Sequence, residues 1–380
     1  MPSPQDDAAL PRSFGVEEEF FLLDTDGEAA SVAPDVLDSL AGDPRMHAEW
    51  MRYQVESASS VCTELPALGA ELARMRAALA ARASAHGALL VAVGTPPFDV
   101  PGAVALTEGV RYRRMVEEFD GITGAEATCA CHVHVGVPTR DLGVAVLNRI
   151  RGWLPALLAL SGNSPFWRGR DSGWASYRHV VLRAWPTVTL PPRCPDAATY
   201  DEILAACLVT GEAIDAASVY WLARLSPRYP TVEIRVPDTA LTVRDAVLLA
   251  GLCRALVATA LADVRAGRPE IHPPERLLAA AIATAACRGL DGLLVDPVSG
   301  RLVSGFAVGQ RLLNHLEAAL ESAGDRLLVA ELLGDRMRRG SGAARQRELQ
   351  RSSDRPGFVA ALARESLTGV SATVSPDIRP

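Results

Sequence analysis

Four short segments place chemically capable side chains at alternate positions. Gly15-Val16-Glu17-Glu18-Glu19-Phe20 carries three consecutive carboxylates, and in an extended chain Glu17 and Glu19 share one face while Glu18 takes the other. Glu56 lies between Val55 and Ser57, His132 and His134 flank Val133, and Glu233 and Arg235 flank Ile234. Singly, each has an ordinary reading: acids on a strand face are usually solvated, and a His-x-His pair in a strand is more often hydrogen-bonded structure than a metal site. Together they carry more weight. Carboxylates set among Phe20, Phe21, Leu22 and Leu23 are costly to bury without a cation beside them. The chain has no lysine, all 38 cationic side chains being arginine, so a divalent metal or Arg must supply that charge. A carboxylate-rich donor set with one or two imidazoles suits Mg²⁺ or Mn²⁺ better than zinc.

These residues need strands to position them. Over Glu126–Val137 the odd positions are apolar (Ala127, Cys129, Cys131, Val133, Val135, Val137), while Glu126, Thr128, His132 and His134 occupy even ones, the period of a strand with one polar face. Ser13–Asp24, Met51–Val61, Ala88–Gly94 and Thr231–Pro237 read as further strands. Helical spacing marks Pro66–His86, stopped by Gly87, then Glu108–Asp120, Thr139–Leu160 despite Pro155, Asp201–Ala217, Val243–Arg265, Pro274–Cys287 and several helices from Val308 to Leu367. The loop Ser161–Arg178 is long enough to suggest function, with Trp167 and Trp174 read as packing residues, and Arg338–Arg345 reads as a mobile interruption. Strands before residue 240 and helices after it predict an α+β fold, an antiparallel sheet backed by helices. The expected organisation is a flexible segment over 1–12, one domain over 13–370 and a tail over 371–380.

Composition narrows the chemistry. With 380 residues, 49% hydrophobic, 22% charged and a net charge of −7, disorder and small disulfide scaffolds are excluded, and neither nucleic acid nor an anionic membrane is an expected partner. Residues 1–13 do not read as a leader, and the apolar stretch Ala246–Ala262, bounded by Asp263 and interrupted by Arg254, reads as too short to span a bilayer. Seven scattered cysteines read as small buried residues of a cytoplasmic protein. Absence of lysine removes Schiff-base chemistry, a Walker-type phosphate loop and a carbamylated-lysine metal bridge, and no Gly-x-Ser-x-Gly elbow is present.

Longer segments are more specific. FGVEEEFFLLD (14–24), VESASSVC (55–62), RYRRMVEEF (111–119), CHVHVG (131–136), ALSGNSPFWRGRDSGWASYR (159–178), TVEIRVPDTALTVRDAVLLAGLCRA (231–255) and CRGLDGLLVDPVSG (287–300) resemble, in order and over roughly residues 13–370, the carboxylate–amine ligase family, also called glutamate–cysteine ligase type 2, of the gamma-glutamylcysteine synthetase superfamily. The resemblance implies an antiparallel sheet funnel like that of the glutamine synthetase and guanido kinase superfamily, ATP with Mg²⁺ or Mn²⁺, and a homodimer. It implies a reaction in which ATP phosphorylates the γ-carboxylate of L-glutamate and the amine of L-cysteine, or another amine, displaces phosphate. By the same resemblance Glu17, Glu19, Glu56, His132 and Glu233 form the metal set, Glu233 and Arg235 are catalytic, and Arg178, Arg235 and Arg111 contact substrate or phosphate, Arg111 in an Arg-Tyr pair with Tyr112. His134 is expected to hydrogen-bond a neighbour and Glu18 to be structural. One departure stands out: an acid or amide often found four places before the Glu56 position is Arg52 here.

Two other classes compete. A metal-dependent hydrolase would share His-x-His on a strand, but the order of strands then helices and the lack of a lysine bridge disfavour it. A non-catalytic relative that binds an amino acid or nucleotide would be expected to have lost acids from a set that is complete here.

Overall fold

The structure, a computed structural model, describes residues 13–40, 42–100, 105–119, 122, 127–296 and 299–369. The expected terminal segments 1–12 and 371–380, and Glu126 at the head of the polar-faced strand, lie outside the described residues.

Eleven strands are described: Phe14–Leu23 (β1), Met46–Ala48 (β2), Gln54–Ala58 (β3), Leu89–Val91 (β4), Cys131–Gly136 (β5), Phe166–Trp167 (β6), Arg170–Asp171 (β7), Ala223–Leu225 (β8), Thr231–Ile234 (β9), Leu293–Val295 (β10) and Leu302–Ser304 (β11). The main sheet runs β2-β3-β1-β5-β9-β8 with β4 also on β1, every pair antiparallel. It is the expected α+β arrangement. β1 is its pivot. One edge pairs with β3, and the other is shared by β5 along Phe14–Glu18 and β4 along Phe21–Leu23. Between those two partners the Glu19 N–H donates to the Ala130 carbonyl at 3.1 Å, so the ladder stays closed where the strand changes neighbours.

Period-two alternation gives the sheet its two faces. Val16, Phe20 and Leu22 of β1, Val133 and Val135 of β5, and Val232 and Ile234 of β9 are buried against the helix layer, chiefly Leu65–Ala85 and Val243–Arg265. Glu18 falls on this apolar face. Its carboxylate meets Arg76 from the helix Leu65–Ala85 at 2.6 Å, both side chains fully buried, and Arg76 also donates to the carbonyls of Ala240, Leu241 and Ser366. The pair thus fastens β1 to the segment after β9 and to the last described helix, Arg355–Ser366. Without that satisfied pair the charge would be intolerable there.

The helix Val243–Arg265 is opened by a capping box at Thr242 and Asp245 and runs 23 residues, long enough to cross a bilayer by length and composition, which corrects the expectation that this stretch is too short. Its apolar surface is spent inside the protein, with 78% of the most apolar window buried.

Other departures from expectation have local causes. The helix expected over Thr139–Leu160 breaks into Arg140–Ile150, a 3₁₀ turn Arg151–Trp153, and Leu154–Ser161, because Pro155 has no N–H and is tolerated only in a first turn. The helix expected over Asp201–Ala217 is Ala197–Val209, started earlier by the Asp196 carboxylate, which accepts from the Thr199 N–H at 2.8 Å. The loop Ser161–Arg178 contains the β6–β7 hairpin, turned by Arg168 and Gly169 at φ 49° and 74°. The interruption at Arg338–Arg345 is a packed joint rather than a mobile one: Ser341 is buried and caps the helix Gly342–Arg351, and Gly342 abuts Asn163 with no room for a Cβ.

Candidate active site

Strand register assembles the polar face. Glu56 stands opposite Glu19, Glu17 opposite His132, His134 opposite Glu233, and Glu233 also opposite Arg224. Each sits on the face away from the helices, so a band of ionisable side chains crosses the sheet from β3 to β8.

The band resolves into two groups. In one, Glu19, Glu49 and Glu56 bring carboxylate oxygens within 4.8 Å of one another. Glu19 accepts from the Ala130 N–H at 2.7 Å, and among the described residues none of the three is ion-paired with an arginine. Burial pushes the Glu19 carboxyl up to about 8, with Glu49 adding repulsion; burial and neighbouring acids raise Glu56 as well, and burial raises Glu49.

The second group is Glu17, His134 and Glu233, again within 4.8 Å. Burial works to raise Glu17, but hydrogen bonds from His132 and His134 outweigh it and hold the carboxylate well below its usual range. His132 Nδ1 lies 3.4 Å from Glu17 Oε2, and His134 Nε2 lies 3.4 Å from Glu17 Oε1. Glu233 is gripped on both oxygens by Arg224, at 2.8 and 3.1 Å, and by Arg235, the first residue beyond β9. Burial opposes that ionisation, and the two guanidiniums overcome it, holding Glu233 far below the ordinary carboxylate range. His132 bridges the groups. Its buried Nε2 has no hydrogen-bond partner and lies 3.9 Å from Glu19 Oε1, while burial and Arg235 push the ring down to about 4, neutral near pH 7.

The donor chemistry fits a hard divalent cation. Oxygens dominate both groups, the Nε2 atoms of His132 and His134 are buried without a hydrogen-bond partner, and three acids, Glu19 buried and Glu49 and Glu56 half-buried, share one place with no guanidinium paired to them among the described residues. The same sequence-expected set, Glu17, Glu19, Glu56, His132 and Glu233, is brought together on one face. His134, expected only to hydrogen-bond a neighbour, does so with Thr231 Oγ1 at 3.0 Å and also completes the second group.

Glu49 and Arg224 were not visible as site residues in the sequence. Glu49 follows the three-residue β2 in a stretch without periodicity, and Arg224 lies in a strand too short to register. Glu49 also answers the question raised by Arg52. Arg52 is exposed, its backbone N–H bonded to the Ala105 carbonyl, and the acid beside Glu56 comes from three residues further upstream.

Over this floor a cleft is lined by Glu19, Glu49, Gln54, Thr128, His132, Arg178 and Arg235, with Trp50, Tyr112, Met115, Trp185 and Tyr220 as an aromatic and apolar wall. Tyr112 meets Trp50 edge-on at 5.4 Å, and Trp185 meets Tyr220 likewise at 5.4 Å. Arg111, at the mouth, pairs with Asp215 at 2.9 Å. Arg178 is buried deeper, 3.8 Å from Asp238. Trp167 packs on Tyr177 and Trp174 lies against the core, outside the cleft lining.

Comparison with known proteins places this chain in the class of ATP-dependent ligases that form carbon–nitrogen bonds. Within it the chain belongs to the family described as Glutamate-cysteine ligase family 2 (GCS2), whose family model matches residues 13–367. A Saccharopolyspora erythraea protein named "Putative glutamate--cysteine ligase 2-2" is 40% identical over 364 residues, covering 94% of this chain and 93% of its own. A similarly named Salinispora arenicola protein is 43% identical over 340 residues, covering 89% and 90%. Among solved structures, the glutamate–cysteine ligase of Francisella tularensis in complex with AMP matches with a TM-score of 0.72 at 14% identity, over 97% of this chain and 91% of that one. A bifunctional glutathione synthetase from Pasteurella multocida matches with a TM-score of 0.64 at 14% identity, over 94% of this chain and 52% of that one. At such identities the likeness is one of fold.

Proposed function

We propose that the protein uses ATP to join the γ-carboxylate of L-glutamate to an amine, L-cysteine or another amino acid or amine, giving a γ-glutamyl amide, ADP and phosphate. The observation that carries this reading is the Glu19, Glu49 and Glu56 group: one buried and two half-buried carboxylates with no ion-paired arginine among the described residues, beside the guanidiniums of Arg178 and Arg235 in one cleft. Such a floor is electrostatically incomplete until a dication and a polyanion arrive together.

A carboxylate is a poor acylating agent because oxide is not a leaving group. Attack of a carboxylate oxygen on the γ-phosphorus of ATP breaks the bond to the β,γ-bridging oxygen and yields an acyl phosphate and ADP. The amine lone pair then adds to the acyl carbon, a proton leaves the nitrogen, and the C–O bond to phosphate breaks. Mg²⁺ or Mn²⁺, when bound, neutralises charge on the phosphates during transfer. Glu19, Glu49 and Glu56 would hold one ion and Glu17, His134 and Glu233 a second, with His132 between them. Glu233 also fixes Arg235, the always-charged group that meets the transferring phosphoryl without exchanging a proton. Arg178 supplies a second cation to the same region, and Arg111 holds the cleft mouth. The cysteines, all free and six of the seven buried, support a cytoplasmic setting.

The test is phosphate release from ATP and Mg²⁺ with L-glutamate and a panel of amines that includes L-cysteine, with Glu233→Ala as the control. Release that requires both glutamate and one amine, with the γ-glutamyl amide seen by mass spectrometry, is expected. Turnover with a different carboxylate only would overturn the substrate assignment. ATP and metal binding without turnover across the panel would replace the ligase by a binding protein.

A further inference from the structure

The search outside the metal floor converges on a buried acid that the chemistry above does not use. Asp238, four residues beyond the end of β9, is completely buried and meets both ends of the loop Ser161–Arg178. One carboxylate oxygen accepts from the Asn163 N–H at 2.9 Å and the Ser164 hydroxyl at 2.7 Å. The other accepts from the Ser176 hydroxyl at 2.8 Å and lies 3.8 Å from Arg178 Nη1. The Ser164 hydroxyl oxygen in turn accepts from the Arg178 N–H at 3.0 Å. Backbone bonds tie Asp238 to the sheet, since Ala130 bridges to it and the Thr239 N–H donates to the Cys129 carbonyl at 3.1 Å. Gly94 packs so closely that a Cβ there would lie 2.9 Å from the Asp238 Cγ.

Arg178 is unusual in how loosely it is held. It is 5% exposed, and among the described residues its guanidinium donates only to the carbonyls of Val236 and Arg235, both at a long 3.4 Å. Its Nε is buried without a hydrogen-bond partner. A buried guanidinium costs free energy unless an anion is near, and Asp238 is the one carboxylate within ion-pair distance of it among the described residues. The guanidinium therefore sits in the cleft beside Arg235 with bonding capacity in reserve, held by charge rather than by a saturated set of hydrogen bonds.

We propose that Asp238 is the positioning residue for Arg178, its carboxylate closing the Ser161–Arg178 loop on the sheet and keeping the Arg178 guanidinium directed at the phosphoryl group of the bound nucleotide. The proposal rests on the ligase reading for the identity of the phosphoryl group, and on geometry alone for the pairing. Asp238 acts through Arg178 and touches no reacting atom.

A double-mutant cycle tests it. Asp238→Asn keeps the shape of the side chain and part of its acceptor capacity but removes the charge, and Arg178→Ala removes the target. The expected result is that each single variant lowers kcat at least about tenfold with KM for ATP changed less than about threefold, and that the double variant is no worse than Arg178→Ala. Restoration by Asp238→Glu in part, with circular dichroism unchanged in Asp238→Asn, is also expected. Additive losses, or an Asp238→Asn defect confined to stability, would overturn the proposal while leaving the ligase reading intact. If the wild type binds ATP and Mg²⁺ but shows no turnover with any amine, the assigned role at the phosphoryl group fails together with the ligase reading. If the wild type binds no ATP, the proposal fails together with the ligase reading.

Discussion

Glu19 and Glu56 stand directly opposite each other on neighbouring antiparallel strands, two acids at a cross-strand position where like charges repel. A sheet tolerates this pairing in a partly buried site only if one acid stays protonated or a cation comes between them. Glu49 closes the group from the third side and worsens the repulsion, so the arrangement is built around a charge that the chain itself does not provide.

The pH dependence of stability follows with a definite sign. Glu19 is raised in the folded protein from 4.5 to about 8, so the folded state keeps a proton that the unfolded chain has lost, and stability falls as pH rises through that interval. His134, raised by its hydrogen bond to Glu17 against the effect of burial, acts in the same direction. His132 and His179, pushed down by burial to about 4, act oppositely, but only up to the ordinary histidine value of 6.5. Between pH 6.5 and 8, in EDTA, the melting temperature is expected to fall. Millimolar Mg²⁺ is expected to raise it and to flatten the slope. Differential scanning fluorimetry in the two buffers checks this, and a slope unchanged by Mg²⁺ would rule out a cation at the acidic group.

Glu56→Gln separates stability from function. Removing one of three mutually repelling acids is expected to stabilise the metal-free protein by about 1–2 kcal/mol while cutting the Mg²⁺-induced rise in melting temperature and the ATPase rate at least about tenfold. Chemical denaturation with and without Mg²⁺ reads both effects. A variant that loses stability in EDTA would show that the Glu56 carboxylate already has a partner.

Arg224 positions Glu233. The guanidinium grips both carboxylate oxygens and spends Nη1 on the carbonyls of Ala216, Ala217 and Val219, a geometry that an ammonium cannot reproduce. Arg224→Lys is expected to keep the fold by circular dichroism and to lose about 10–100-fold in kcat/KM, the usual scale when the partner of a ligating group is removed. Steady-state phosphate release measures it, and activity within about twofold of wild type would sever Arg224 from the site.

Glu18 and Arg76 predict a purely structural loss. Arg76→Ala strands a buried carboxylate and three backbone carbonyls at once, and is expected to cost about 3–5 kcal/mol in urea denaturation. Glu18→Gln, which leaves the carbonyl bonds intact, is expected to cost less. Equal losses would mean that the ion pair, rather than the three carbonyls, dominates.

Much of this architecture was written into side-chain order. Period two in Phe14–Leu23 and Cys131–Gly136 assigns Glu17, Glu19, His132 and His134 to one face and Glu18 to the other, because alternation is a property of the extended chain and needs no partner. The absence of lysine decides that buried acids must meet Arg or metal, whatever the fold. What alternation cannot supply is register between strands. That Glu56 faces Glu19 and that Arg224 faces Glu233 depends on which strands become neighbours, and neighbours are chosen by the packing of Val16, Val133 and Ile234 onto the helices. Glu49 enters the site because Trp50 and Met51 are stitched to Leu106 and Thr107, contacts between segments more than fifty residues apart that no local pattern encodes. The residue types and their faces are therefore local facts of the sequence, whereas the grouping of three acids into one unbalanced charge exists only once long-range packing has set the register of the sheet.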